Sequence, residues 1–319
     1  MGARYAGGEL LAEVVRSGFV EGYHRGSVVV LDAGGKVMAA CGDITSAIFP
    51  RSSNKPMQAI GMLRTGLRLV DLADLALVCA SHFGEDFHVA RVEALLRTAG
   101  LDETYLRCPP DMPLGEAAAA AVIRAGGGPS RIRMNCSGKH AGMLLTCLAA
   151  GFPLEEYYLP DHPLQERISA TIEDFAGEEA SAVGVDGCGA PVLAISLTGL
   201  ARAYLRLVSG DDKSVEATVA SAMRTHPEMV SGTDTFDTRL MRGVPGLLAK
   251  GGAEGVLGVA IPEVGAVAIK IDDGAQRARH PVIISALRKL GVDRPVLDEL
   301  AEVPLLGGGE PVGAVRVLW

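Results

Sequence analysis

Strand patterns stand at both ends of this chain and helical patterns fill its middle, and few folds satisfy that order. Near the front, Val28–Leu31 and Val37–Cys41 are apolar and β-rich. They flank Asp32-Ala33-Gly34-Gly35, the residue types of a hairpin turn. Residues 10–48 as a whole read as strands. Near the end, Val256–Ile261 and Ala266–Ile271 repeat the pattern around Pro262-Glu263-Val264-Gly265, and Val312–Leu318 reads as a terminal strand. The region between is helical in period: Ser52 to about Gly66, Leu72–Ala80, Asp86–Ala99, Glu116–Ala125, His140–Ala150, Pro163–Phe175, Val192–Val208 and Ser214–Thr225. Ser231–Thr238 reads as a polar turn and His280–Leu290 as one late helix. Two distant hairpins bury their apolar faces together by pairing in one sheet. The expected fold is therefore α+β, an antiparallel sheet from N- and C-terminal hairpins with an inserted helical lobe. We expect a single domain over 1–319, its sheet lobe about 1–50 and 245–319 and its helical lobe about 51–244.

Composition narrows the function classes. A chain of 319 residues, 48% hydrophobic, can bury a large core. Its longest apolar runs fall short of the roughly 18 residues that span a bilayer. Net charge is −8 with both signs interspersed and no basic tract, which argues against a nucleic-acid partner. Met1–Tyr5 lacks the basic start and apolar core of a signal peptide, and Ala6 breaks the myristoylation pattern. A cytoplasmic enzyme or binding protein, with no membrane partner, is the expectation. Six cysteines in such a compartment stay reduced, as core residues, ligands or nucleophiles. Cys41, Cys79 and Cys147 lie in apolar runs and read as core. Cys136 and Cys188 sit instead in glycine-containing loops, Asn135-Cys136-Ser137-Gly138-Lys139-His140 and Asp186-Gly187-Cys188-Gly189-Ala190-Pro191.

The stretch Phe49-Pro50-Arg51-Ser52-Ser53-Asn54-Lys55-Pro56 holds a Ser-x-x-Lys motif. Proline is tolerated only in a helix's first turn, so Pro56 places Ser52 at a helix mouth. Residues three apart share a helix face, which lets the Lys55 amine reach the Ser52 oxygen. A serine needs a base to become a nucleophile, and a lysine of depressed pKa can serve. The competing reading is an N-cap serine beside a solvated lysine. Lysine is scarce, 7 against 23 arginines, so a lysine beside glycines is informative. Lys250-Gly251-Gly252, before a strand, lets backbone and ammonium approach a ligand closely. Lys270 competes as the second lysine, although it lies inside a strand. Arg51 either grips a carboxylate or pairs at the surface. Cys136 as a nucleophile is a minor rival, because metal ligation and thiolate attack compete for one sulfur.

Taken together, Pro50–Ala59, Cys79–His88, Asn135–Met143, Asp186–Pro191, Met229–Thr238 and Lys250–Val256 resemble, in order, the motifs of the asparaginase II family, the thermolabile rhizobial type of L-asparaginase. Ser-x-x-Lys with a late Lys-Gly-Gly is also similar to the serine β-lactamase, penicillin-binding and glutaminase architecture, but that set's Ser-Asp-Asn is absent. The resemblance implies a serine β-lactamase-like fold, usually a homodimer, that hydrolyses L-asparagine to L-aspartate and ammonia. It implies two Ser–Lys pairs, Ser52 with Lys55 as nucleophile and base, and Ser81 with Lys250. It implies zinc on Cys136, Lys139 and Cys188, structural or substrate-orienting, with Asp186 as a neighbour of the metal or partner of the substrate amine. Arg51, His140 and Asp186 are the candidates for holding substrate, although a histidine placed like His140 is more often a hydrogen-bonded loop histidine than a ligand. Two other readings stay open. One is a different serine amidohydrolase, a glutaminase or a β-lactam or peptide hydrolase; the other is a non-catalytic metal- or amino-acid-binding protein.

Overall fold

The computed structural model describes residues 5–319; Met1–Arg4, part of the N-terminal stretch read above, lie outside the described residues. The strands are β1 (Glu9–Arg16), β2 (Phe19–Asp32), β3 (Val37–Cys41), β4 (Ala47–Ile48), β5 (Ala182–Val185), β6 (Pro191–Ser196), β7 (Leu248–Gly251), β8 (Val256–Ile261), β9 (Gly265–Ile271), β10 (Pro304–Gly307) and β11 (Glu310–Val317). Eight of them form one sheet in the order β10-β11-β1-β2-β9-β8-β7, with β3 also paired to β2. The two ends of the chain meet where β2 runs antiparallel to β9, from Gly26 opposite Ile271 to Asp32 opposite Gly265. Joining the distant hairpins makes the single antiparallel sheet that the sequence pattern requires.

Between the hairpins lie α1 (Lys55–Thr65), α2 (Leu72–Val78), α3 (Asp86–Thr98), α4 (Glu116–Arg124), α5 (Ser137–Ala150), α6 (Pro163–Ala176), α7 (Leu197–Val208), α8 (Val215–Thr225), α9 (Pro227–Val230) and α10 (Phe236–Gly243). Helices α11 (Gln276–Lys289) and α12 (Pro295–Ala301) precede the last hairpin. Most helix starts follow side-chain signals. Asp71, Ser196, Ser214 and Thr235 each accept a backbone N–H as N-caps, and Pro56 and Pro163 sit in first turns. Among the described residues, no helix is long and apolar enough to cross a membrane.

Two elements differ from expectation. Residues 192–208 are not one helix: Pro191–Ser196 is a fully buried strand in a second, three-stranded sheet, β4-β6-β5. A short apolar run running into a helix has no period that separates the two states. The late helix starts at Gln276, ahead of Pro281, which stands inside it rather than at its mouth.

The placement of the site follows from β7. It is an edge strand of the sheet, and Lys250 pairs with Gly258 across the ladder. A side chain at Gly258 would collide with the Tyr204 ring of α7, its Cβ 2.3 Å from that ring. The missing side chain lets Tyr204 lie flat on the sheet and donate to Ser53 O at 2.6 Å. Thus α7 and the end of β7 clamp the turn that carries Ser52. The hydrophobic core is one cluster that draws on β2, β8 and β9 as well as α1, α5 and α7.

Candidate active site

Ser52 lies in a 3₁₀ turn, Arg51–Asn54, that feeds α1. The turn is strained at Arg51, whose φ of 54° is left-handed; such a conformation costs a non-glycine residue roughly 1–2 kcal/mol. Two carboxylates hold it: Arg51 Nε donates to Asp186 Oδ1 at 2.7 Å, and Glu254 lies 3.8 Å from Nη1. On the other side, Gly252 approaches so closely that a Cβ would stand 2.7 Å from Pro50 O and 3.3 Å from Ser52 N. Arg51 and Asp186, both candidate substrate residues, therefore bind each other and brace the serine turn.

The four residues of the two expected Ser–Lys pairs come together, but with different partners. Lys55 Nζ donates to Ser81 Oγ at 3.0 Å, to Cys136 Sγ at 3.1 Å and to Ala80 O. No hydrogen bond joins it to Ser52 Oγ among the described residues. Side chains three apart in a 3₁₀ turn eclipse, so the turn itself does not part them; the amine is drawn instead to Ala80 O and Ser81 Oγ just beyond α2. Lys250 Nζ stands 3.2 Å from the same Ser81 Oγ and donates to Gly251 O at 2.6 Å. Both amines thus converge on Ser81, while Ser52 lines the same cleft as Ser81 and Lys250. Burial, reinforced by Lys55 and Arg279 and only partly offset by Asp237, brings Lys250 down to about 7. Near neutral pH it is an amine that can accept a proton. Lys270, the competitor, donates to Glu254 O at 2.7 Å and does not line the cleft.

Behind the amines, the two cysteine loops meet. Lys139 Nζ donates to Cys188 Sγ at 3.0 Å, and Cys136, whose thiol donates to Asn135 Oδ1 at 3.0 Å, lies beside the same sulfur. The neighbouring Cys136 holds the Cys188 thiol well below the usual thiol range, with Lys139 and His140 adding to it against the effect of burial. Burial works against the Lys139 charge, but the two sulfurs override it and hold its pKa up. His140 is fully buried; its Nδ1 bonds Tyr157 Oη at 2.8 Å, and its Nε2, beside Cys188, has no hydrogen-bond partner. It faces the sulfurs rather than the cleft. Among the described residues, no three His, Cys, Asp or Glu side chains form a metal cage by themselves.

The cleft, about 850 Å³, opens along the free edge of β7. Beyond Ser52, Ser81 and Lys250 it is lined by Asn135, Asp237 and Arg279, with an apolar wall that includes Phe83, Leu114 and Phe236. His280 stacks on Phe236 at 3.9 Å, and burial lowers it to about 4, so it joins that wall as a neutral ring. Asp237 and Arg279 were not among the sequence candidates. Asp237 lies in the motif stretch Met229–Thr238 without standing out in it, Arg279 lies in none of the motif stretches, and the two meet at Gly251 of β7.

A family model described as L-asparaginase II matches residues 12–317. No curated protein matches the chain. Among solved structures, a protein named Mglu in its native form is similar at 14% identity and TM-score 0.43, over 84% of this chain. The alignment takes in 63% of that protein, so the chain spans less than two thirds of its length. A β-lactamase from Mycobacterium bovis is similar at 13% identity and TM-score 0.45, over 84% of this chain and 95% of its own. Simvastatin synthase from Aspergillus terreus, in a mutant form, is similar at 13% identity and TM-score 0.42, over 86% of this chain and 92% of its own.

Proposed function

Since the chain belongs to the L-asparaginase II family, we propose that its cleft hydrolyses the side-chain amide of L-asparagine to L-aspartate and ammonia through a serine ester. The observation that carries this reading is the pair of buried amines on Ser81, beside a second hydroxyl in the same cleft. Ser52 is the attacking group: its Oγ is uncommitted, and it lies at the start of a helix whose N–H groups favour a developing oxyanion. Its proton passes to the Lys55–Ser81–Lys250 cluster as the oxygen–carbon bond forms. The carbon–nitrogen bond then breaks, and the cluster returns the proton to the departing ammonia. Water cleaves the ester and regenerates Ser52.

The two hydrogen bonds on Ser81 favour one other reading, in which Ser81 attacks and Ser52 carries the proton. Either version requires ammonia release from L-asparagine. The expected result is turnover of L-asparagine at a kcat/KM at least about tenfold above that of L-glutamine, a one-methylene difference worth about 1–3 kcal/mol. Turnover of glutamine alone, or of a chromogenic β-lactam alone, would assign the cleft to a different amidohydrolase.

The donor set also suits zinc, with two sulfurs, an amine and an unpartnered buried imidazole nitrogen in one place. Cys136, Lys139 and Cys188 would hold it, and it would supply positive charge that orders their loops. Lys139 would then bind as the neutral amine, so loading releases protons. Protein purified with zinc is expected to retain one ion per chain, and Cys188→Ser to lose it while staying folded. Wild-type protein that retains no metal would refute this part.

A further inference from the structure

Arg279 is a buried charge that no carboxylate grips directly, although Asp237 lies near it. It is 8% exposed, on α11, at the wall of the cleft. Its Nη1 reaches Gly252 O and Val256 O only at 3.4 Å, its Nη2 reaches His280 Nε2 at 3.5 Å, and its Nε has no partner. A guanidinium carries five N–H donors, and those contacts lie at the outer limit of hydrogen bonding. Among the described residues no carboxylate forms an ion pair with it. Asp237, nearby, spends Oδ2 on the Gly251 N–H at 2.7 Å and keeps Oδ1 without a hydrogen-bond partner, so it offsets the guanidinium's charge through space and makes no hydrogen bond to it. A guanidinium buried in this state costs free energy that a bound anion would offset.

The backbone makes room for it. A Cβ on Gly251 would stand 2.6 Å from Arg279 Nη1 and 3.2 Å from its Cζ. Three successive residues thus divide the work: Lys250 reaches Ser81, Gly251 admits Arg279, and Gly252 lies against the Ser52 turn. Successive side chains of a strand face opposite ways, so Lys250 and Arg279 stand on the two faces of β7, and the cleft that both line reaches across its free edge. Arg51, the sequence candidate for gripping a carboxylate, is already bound to Asp186.

We infer that Arg279 grips a carboxylate of the substrate, which for the amino-acid amide proposed above, on which this inference rests, is the α-carboxylate. A planar fork binding two oxygens selects amides that carry a free carboxylate over those that do not.

Calorimetric titration with L-aspartate and with its α-carboxamide reads the subsite without catalysis, on wild type, Arg279→Gln and Arg279→Lys, each checked for folding by circular dichroism. Wild type is expected to bind L-aspartate at least about 30-fold more tightly than the α-carboxamide. Arg279→Gln should erase that preference and Arg279→Lys should keep part of it. For L-asparagine, the Gln variant should raise KM far more than it lowers kcat. Equal weakening of both ligands in the Gln variant, unchanged binding of L-aspartate, or no preference in wild type would overturn the inference. If Arg279-dependent binding occurs without ammonia release, the hydrolysis reading fails and this one stands. If ammonia release in Arg279→Gln keeps an unaltered KM, the reverse holds.

Discussion

Ser52→Ala is expected to lower ammonia release from L-asparagine by about 10⁴-fold or more, because a positioned nucleophile has no substitute. Its melting temperature should stay within about 2 °C of wild type. The Ser52 hydroxyl hydrogen-bonds no other described side chain, so its loss strands no buried polar partner. Ser81→Ala provides the contrast. It removes the one group that both Lys55 and Lys250 bond, leaving two buried amines facing each other. That variant should lose both activity and stability. A Ser52→Ala protein with near-normal turnover beside an inert, folded Ser81→Ala protein would shift the attack to Ser81.

Lys250→Met should have the second largest effect, and in opposite directions on two properties. Activity should fall by about 10³-fold, the range for removing a positioned acid–base group. Wild-type kcat/KM should rise with pH through about 7 as Lys250 loses its proton, and the variant should lack that limb. Stability should increase. In the unfolded chain the amine keeps its proton up to its ordinary 10.5, in the fold only up to about 7. Between those values the unfolded chain holds the extra proton, so this lysine's penalty shrinks as pH rises. Below about 7 the fold carries a charged, fully buried amine and the whole penalty. The methionine variant should therefore melt several degrees higher than wild type at pH 6, the gap narrowing toward pH 10 on thermal scans. A variant that is less stable than wild type at pH 6 would show that Lys250 is held charged by its surroundings.

How far the sequence speaks for this site depends on whether a contact is local. The hairpins around Asp32–Gly35 and Pro262–Gly265 are legible because turn residues and period-two runs act over a few residues, and they assemble as expected. Pro56 likewise marks the start of α1 correctly. The partner of Lys55 is not legible, because its amine bonds Ala80 O and Ser81 Oγ, which tertiary packing brings to it from 25 and 26 residues away. Cys136 and Cys188 could be singled out by their glycine-containing loops, yet only tertiary packing sets Lys139 on the second sulfur. Arg279 is the least legible, falling ahead of a proline that reads as a helix start; Asp237 lies in a stretch that matches a family motif but reads as a turn, with nothing in it that singles out this aspartate. What joins them is the edge of β7, where Gly251 leaves the space they share.

The central claim is a covalent ester on a serine of this cleft. It is tested most directly by acid-quenching a single turnover of L-asparagine and mapping the digested protein by mass spectrometry. The account predicts one aspartyl group on the peptide that carries Ser52, gone in Ser52→Ala and formed faster above pH 7 than below it. Ammonia released in full from a quenched protein that bears no aspartyl group on any serine peptide would contradict it.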